Sequence, residues 1–262
     1  MNHALRNAAL IFEHVNLNEV EADEVRVEGF ETNDILDPKI WDEENQMRSD
    51  VRQRLLEVAD NFVDGLPIKI DVEDIKLTGS LATYGWSKFS DVDLHLVVDF
   101  SEVDDDEELV RDYFNAKKSL WNLKHEIYVY GYEIEIYVEN VDDKHTAQGI
   151  YSIEDDAWIK EPKREEFEID VDEVQKKAAS IMSQIDQIEL TAAEDPVEAE
   201  SMAERMKEKL RKMRQAGLDS KKGIYSVKNI AFKVLRRNGY LGKLSDVKTQ
   251  SYDRVMSLSG IE

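Results

Sequence analysis

The sequence predicts an α/β fold of the α+β type, in which a mixed sheet with flanking helices is followed by an all-helical C-terminal domain. Alternating apolar residues at 91–99 predict a strand, and alternation on both sides of Gly131 predicts a β-hairpin. From about residue 171 onwards the apolar residues recur at helical spacing. We therefore expect a core domain at residues 46–165 and a helical domain at residues 166–262.

The elements before the hairpin follow from local patterns. Residues 1–45 predict an N-terminal arm that packs on the core and contains a short amphipathic helix at 4–14. Apolar residues at helical spacing predict a helix at 44–63, and a weak alternation at 68–72 precedes a strand at 75–78. Three aspartates, at 104–106, then open the next helix, because the helix dipole favours negative charge at an N-terminus.

Composition narrows the range of functions. The 262 residues include no cysteine, which excludes disulfides, thiolate zinc sites and cysteine nucleophiles. No apolar run approaches the roughly 18 residues that span a bilayer, and the apolar stretch after the N-terminus is too short for a secretory signal. We therefore expect a cytoplasmic protein, located in the host cytoplasm if a phage encodes it, with no membrane partner.

Charge is unevenly distributed along the chain. The formal net charge is -23, yet residues 204–248 contain 14 basic and 4 acidic residues. Two interpretations remain open for this basic segment. It is either a solvated helix face or a docking surface for phosphate, whether of a nucleotide or of RNA, with Lys221, Lys222, Lys228, Arg236 and Arg237 as candidates.

One constellation carries most of the functional information. Gly79-Ser80 forms a predicted turn after a strand, and ten residues later the next strand carries Asp91 and Asp93. Residues i and i+2 of a strand point to the same face, so the two carboxylates project side by side. Glycine permits close backbone approach to a ligand, and turn N–H groups can hold phosphate oxygens.

The hairpin offers a third carboxylate on its polar face. We prefer Glu135, which lies mid-strand between two isoleucines, to Glu133, which is nearer the turn, although hairpin register cannot be fixed from sequence. Either glutamate alternatively belongs to an ordinary solvent face. Three clustered carboxylates favour a bound cation, and an all-oxygen ligand set selects Mg²⁺ or Mn²⁺.

The same three-residue motif occurs a second time in the chain. Asp170-Val171-Asp172 repeats the letters of Asp91-Val92-Asp93, but it lies in a polar stretch at a predicted helix start. We assign this copy no function. Two aspartates at this spacing are therefore weak evidence for a functional site. The glycine turn and the apolar strand around the first pair distinguish it from the second.

These residues carry a resemblance to a known family. Gly79-Ser80 followed by Asp91-Val92-Asp93-Leu94, with Ile134-Glu135-Ile136 later, resembles the signature of the DNA polymerase β-like nucleotidyltransferase superfamily over about residues 70–140. The chain is also similar to predicted nucleotidyltransferases of large tailed bacteriophages in four stretches: Asp37-Pro38-Lys39-Ile40-Trp41, 77–100, 132–138 and 149–152.

The resemblance implies an activity and roles for residues. Asp91 and Asp93 would bind two Mg²⁺ ions, and the third carboxylate would hold the catalytic ion and help to deprotonate an acceptor hydroxyl. Gly79 and Ser80 would grip the β- and γ-phosphates of an NTP. The reaction would transfer an NMP to the acceptor, which is RNA or tRNA, a protein or a small molecule, and would release pyrophosphate.

Neighbouring residues each have two interpretations. Lys88 either contacts the triphosphate or is a surface lysine, and Ser90 either orients the Asp91 strand or caps the turn. His95 shares the face of the aspartates and either flanks the site or is a satisfied interior histidine. Tyr84 and Trp86 either stack on a base or pack under the loop. The alternative to an enzyme is a non-catalytic nucleotide-binding or interaction module on the same fold.

Overall fold

The structure is a computed structural model that describes residues 20–144 and 147–258. The chain divides into two compact units. The sheet unit is Gly29–Glu166, and the helical unit joins the described residues of 1–28 to those of 167–262. We describe each unit separately.

The N-terminal arm predicted at 1–45 is divided between the units. Residues 29–45 group with the sheet unit, and residues 20–28 group with the helical unit. The short helix predicted at 4–14 lies outside the described residues. No helix in the described part of the chain is long and apolar enough to cross a membrane.

The sheet unit has an α+β architecture. Its described residues form two α helices and six strands: α1 (Ser49–Asp64), β1 (Asp74–Thr78), β2 (Val92–Val98), α2 (Glu107–Lys124), β3 (Tyr128–Val129), β4 (Tyr132–Asn140), β5 (Ile150–Ser152) and β6 (Ala157–Lys160). The strands form one sheet in the order β3-β4-β2-β1-β5-β6. Only β2 and β4 pair in parallel, so the predicted mixed sheet is confirmed.

The two faces of the sheet differ in polarity. On β2, Val92, Leu94 and Leu96 are buried in the core, whereas the alternate residues Asp93 and His95 are only partly buried. Helix α1 covers the apolar face with one side of its length, and its buried residues are Val51, Leu55, Val58, Ala59 and Phe62. The opposite face therefore keeps its polar side chains, among them the aspartates that the sequence singled out.

The hairpin of β3 and β4 is closed by a two-residue turn. Val129 pairs with Tyr132, and the residues between them, Tyr130 and Gly131, have φ values of 50° and 92°. Positive φ at both central positions is the geometry of a type I′ turn, whose twist matches that of the flanking strands. The hairpin predicted around Gly131 is confirmed.

Helix α2 completes the edge of β4 that the short strand β3 leaves uncovered. The side-chain amide of Asn122 donates to the carbonyl oxygen of Ile136 at 3.1 Å, and its oxygen accepts from the N–H of Ile136 at 3.0 Å. An open edge strand exposes such groups without partners. Asn122 thereby fixes α2 alongside β4.

Trp41 is one of the residues that tie 29–45 to the rest of the sheet unit. Its indole N–H donates to the carbonyl oxygen of Leu81 at 2.8 Å, and its ring stacks on Trp158 with centroids 4.5 Å apart. Trp41 is 2% exposed and belongs to the main core. This part of the predicted arm therefore packs on the sheet unit through Trp41.

The helical unit contains four α helices in its described residues, and they match the predicted helical domain. They are α3 (Val171–Glu194), α4 (Pro196–Leu218), α5 (Val227–Arg237) and α6 (Tyr240–Met256). Side chains at the N-caps begin three of them: Asp170, Asp195 and Ser226 each accept a backbone N–H of the first turn. Pro196 occupies the first helical position of α4, where its missing N–H costs nothing.

One predicted boundary was wrong, one weak alternation formed no strand, and one strand was not predicted. Helix α1 begins at Ser49 rather than at residue 44, because Trp41 and Met47 form a bridge that encloses a turn. Residues 68–72 form no strand. Ile68 and Ile70 instead pack against a small cluster of Val98, Phe100, Val110 and Phe114. Strand β6 was missed, since its residues are mostly exposed and lack an apolar pattern.

The Asn122 contact gives a prediction about stability. In Asn122→Ala, the N–H and carbonyl of Ile136 lose their partners, which should lower the free energy of unfolding by about 1–3 kcal/mol. The measurement is a urea titration followed by tryptophan fluorescence. Asn115→Ala, at an exposed position of the same helix, is the control. Equal losses in the two variants would contradict the role of Asn122.

Candidate metal centre

Three carboxylates meet on the polar face of the sheet. Asp91 precedes β2, Asp93 lies on β2 and Glu135 lies on β4, and all three side chains are partly buried. One carboxylate oxygen from each residue lies within 4.8 Å of those of the other two. The arrangement follows from the parallel pairing, in which Asp93 is the direct partner of Glu135.

Strand register decides between the two candidate glutamates. Glu135 stands opposite Asp93, whereas Glu133 is paired with Tyr128 in the hairpin. Among the described residues, the acidic group that could hold an ion comprises Asp91, Asp93 and Glu135, without Glu133. The structure therefore brings together the three residues that the sequence analysis favoured.

Gly79 lies directly against the carboxylate of Asp93. Its φ of 75° and ψ of −159° fall in a region that is essentially reserved for glycine. A Cβ at this position would lie 1.7 Å from Oδ2 of Asp93 and 2.7 Å from its Cγ. The turn backbone and Asp93 therefore touch only because residue 79 has no side chain.

Hydrogen bonds to serine side chains stabilise the connection between the Gly79 turn and β2. Ser80 donates its hydroxyl to Oγ of Ser90 at 2.8 Å, and the N–H of Ser87 donates to the same oxygen at 3.0 Å. The N–H of Ser90 in turn donates to the carbonyl oxygen of Ser87 at 2.9 Å. Ser90 thus caps a tight turn immediately before Asp91. It therefore caps the turn and also orients the start of the strand, the two roles considered for Ser90.

Tyr137 also lies at the site, two residues beyond Glu135 on the same face of β4. Its hydroxyl donates to Oε2 of Glu135 at 2.5 Å. Burial, this hydrogen bond and the nearby charges of Asp93, Glu135 and Asp91 raise the pKa of Tyr137 well above its ordinary value. The phenol therefore remains a neutral hydrogen-bond donor near neutral pH.

Lys118 approaches the site from helix α2. Its ammonium nitrogen lies 4.4 Å from the ring centroid of Tyr137. Burial lowers the pKa of Lys118, and the negative charge of Glu135 partly opposes that shift. Sequence reasoning missed this residue, because nothing local distinguishes Lys118 from Lys117 beside it on the same helix. The helix position fixed by Asn122, one turn further on, determines which of them reaches the sheet.

His95 belongs to a polar network next to the carboxylates. Its Nδ1 lies 2.8 Å from Oε2 of Glu139, and Nζ of Lys76 lies 3.5 Å from Oε1 of the same glutamate. Glu139 is 7% exposed. Buried charges require partners of this kind. His95 therefore has the environment of a satisfied interior histidine, and it is not part of the acidic group found among the described residues.

The remaining candidates lie on the connection between the turn and β2. Tyr84 and Trp86 pack against the main core, and the indole N–H of Trp86 donates to the carbonyl oxygen of Ile35 at 2.9 Å. Both aromatic residues therefore pack under the loop. Lys88 is exposed, with its ammonium nitrogen 4.8 Å from the ring of Phe89.

The second copy of the aspartate motif has a structural role. Asp170 caps α3 by accepting the N–H of Glu173 at 2.9 Å, and Asp172 is exposed in the first turn. The same three letters thus form a helix start in one place and a pair of neighbouring carboxylates in the other.

Comparison with known proteins gave no relative. No family model, no curated protein and no solved structure matches the chain. The case for a function rests on the geometry described above.

The contact between Gly79 and Asp93 can be tested with a matched pair of glycines. Gly79→Ala should destabilise the protein more than Gly131→Ala, because both have positive φ but only residue 79 would collide with another group. The positive φ alone costs about 1–3 kcal/mol in each variant. Thermal unfolding of the two variants measures the difference. Similar losses of thermal stability in the two variants would mean that Asp93 can move away from residue 79 and is not fixed by the turn.

Proposed function

We propose that the chain is a metal-dependent nucleotidyltransferase, which transfers an NMP from an NTP to an acceptor hydroxyl and releases pyrophosphate. The observation that carries this proposal is the convergence of Asp91, Asp93 and Glu135 directly beside the Gly79 turn. A carboxylate cluster and a phosphate-binding turn are the two parts that such a reaction needs in contact.

The residues present fit a divalent metal. Three carboxylates whose oxygens lie within 4.8 Å repel one another unless a cation neutralises them. Their ligand atoms are all oxygen, which favours Mg²⁺ or Mn²⁺ over softer metals. Asp91, Asp93 and Glu135 would hold the metal, which when bound would stabilise the attacking and leaving oxygens of a phosphoryl displacement.

The residues of the turn would bind the triphosphate. Backbone N–H groups of a turn such as those that follow Gly79 can hold phosphate oxygens. Ser80 places a hydroxyl at the same turn, and Lys88 supplies an exposed ammonium on the connection that leads to Asp91. In this proposal, the β- and γ-phosphates lie on the turn and the α-phosphate lies next to the carboxylates.

The proposed reaction is a single displacement. The acceptor oxygen forms a bond to the α-phosphorus, the bond between that phosphorus and the bridging oxygen of the β-phosphate breaks, and pyrophosphate leaves. The carboxylate of Glu135 takes the proton of the acceptor hydroxyl.

Charge favours a protein or small-molecule acceptor over RNA. The sheet unit, Gly29–Glu166, contains 35 acidic and 15 basic residues. Within the helical unit, two cations of the basic segment at 204–248 pair with acidic residues outside it, Arg205 with Glu198 and Lys243 with Asp186, and two more pair inside it, Arg211 with Glu208 and Lys248 with Glu204. Affinity for nucleic acid depends on cations that neutralise phosphates. These pairs leave fewer cations for that purpose than the sequence suggests.

The central test is transfer of label from α-labelled NTPs, with Mg²⁺ or Mn²⁺, to host lysate or total RNA. Asp93→Asn should reduce transfer by more than about 100-fold, since losses of groups that only support a metal ligand already reach that level. Asp172→Asn makes the same change in the motif at the start of α3 and should leave transfer unaltered.

The outcomes separate the proposal from its alternative. Transfer that survives in Asp93→Asn would reject the mechanism. Binding of metal and NTP without transfer to any acceptor would instead favour a non-catalytic nucleotide-binding module on the same fold.

The acceptor class has its own test. We expect tRNA to bind weakly or not at all at low salt, because the sheet unit repels polyanions. The measurement is a salt titration of tRNA binding by fluorescence anisotropy. Tight binding that weakens steeply as salt is added would contradict this expectation and favour RNA as the acceptor.

A further inference from the structure

We propose that Tyr137 is a positioning residue that holds Glu135 ready to bind metal. This inference rests on the proposed function, because it concerns the third carboxylate of the same site. The residue acts through Glu135, to which its hydroxyl donates, and has no direct part in the chemistry.

The backbone places the two side chains together. Glu135 and Tyr137 are two residues apart on β4, so both project from the polar face of the sheet. The phenol hydroxyl donates to Oε2 of Glu135 at 2.5 Å. A carboxylate has about four lone-pair sites, so this single hydrogen bond leaves Glu135 able to bind a cation as well.

The ring of Tyr137 is held between two other residues. His95, its partner in the parallel pairing, stacks on it with centroids 4.9 Å apart and an interplanar angle of 18°. Lys118 contacts the ring at 4.4 Å, and the helix that carries it is fixed to β4 by Asn122. The direction of the hydroxyl is therefore set by groups outside the carboxylate cluster.

His95 is itself anchored, so the support extends away from the site. Its Nδ1 lies 2.8 Å from the buried carboxylate of Glu139, which Lys76 also approaches at 3.5 Å. Lys76, on β1, pairs with His95 across the sheet. The ring of Tyr137 is thus stacked against a polar network of His95, Glu139 and Lys76 that crosses three strands.

Glu135 needs such support more than the two aspartates do. Its side chain has one more rotatable bond than that of an aspartate, and ordering a glutamate costs about 1.5–2 kcal/mol of rotamer entropy. Asp93 is already confined by the Gly79 backbone. A neutral phenol can order Glu135 without adding positive charge to that of Lys118, which would repel the metal further.

The test compares Mn²⁺ binding to the full chain by calorimetry. Tyr137→Phe keeps the stacked ring and removes only the hydroxyl, and we expect it to weaken Mn²⁺ binding about 10–100-fold with little change in thermal stability. Tyr128→Phe makes the same substitution at a tyrosine that is 55% exposed on the same hairpin, and it should bind Mn²⁺ like the wild type.

Label transfer provides a second readout that a purely structural role would not produce. Because all three carboxylates remain in Tyr137→Phe, raising the Mn²⁺ concentration should restore transfer close to the wild-type rate. It should not restore transfer in Asp93→Asn, in which a ligand has been replaced.

Failure of this inference is distinguishable from failure of the proposed function. If Tyr137→Phe binds Mn²⁺ as tightly as the wild type while Asp93→Asn does not bind it, Tyr137 has no positioning role and the metal site stands. A large fall in the thermal midpoint of Tyr137→Phe would also overturn the inference, since the hydroxyl would then support the fold. Absence of Mn²⁺ binding by the wild type would reject the metal site and the role of Tyr137 together.

Discussion

The parallel pairing of β2 with β4 is the contact on which the candidate site depends. It places Asp93 opposite Glu135, and a shift of one residue would turn one of these carboxylates towards the core. Parallel strands need a long crossover, and helix α2 provides it while Asn122 closes the free edge of β4. The same helix brings Lys118 to the polar face.

The separation of the sheet into an apolar and a polar face explains how the site is supported. The apolar face is covered by α1 and gains stability from burial, which does not depend on direction. On the polar face, each partly buried charge requires a specific partner, as in the contact of His95 with Glu139. Such partners fix side-chain directions, and a site for metal and phosphate needs fixed directions.

Formal charge along the sequence was an incomplete guide to surface charge. Residues 204–248 look strongly basic, yet Lys243 lies between Asp186 and Glu189, and Arg205 is paired with Glu198. Asp186 and Glu189 lie outside the basic segment in sequence, so its local charge overstates what the helical unit presents to a partner. This pairing supports the proposal of a protein or small-molecule acceptor rather than RNA.

Local sequence information determined most elements of the fold. The cap residues Asp170, Asp195 and Ser226, and the turn at Gly131, act within a few residues of themselves, so their effects could be predicted. The weak alternation at 68–72 forms no strand, because Ile68 and Ile70 pack on an apolar cluster without a partner strand. A pattern of apolar residues indicates which side chains are buried, and a side chain can be buried without lying on a strand.

Some features of the candidate site likewise followed from local sequence, and others depended on the tertiary structure. By itself the sequence determined that Gly79 forms a turn and that Asp91 and Asp93 share a face, because both follow from spacing along one stretch of chain. Only the tertiary structure decided that Glu135 rather than Glu133 joins them, since strand register is fixed by pairing with β2. It alone brought Tyr137 and Lys118 together, because their contact depends on a helix held against a strand edge by residues distant in sequence.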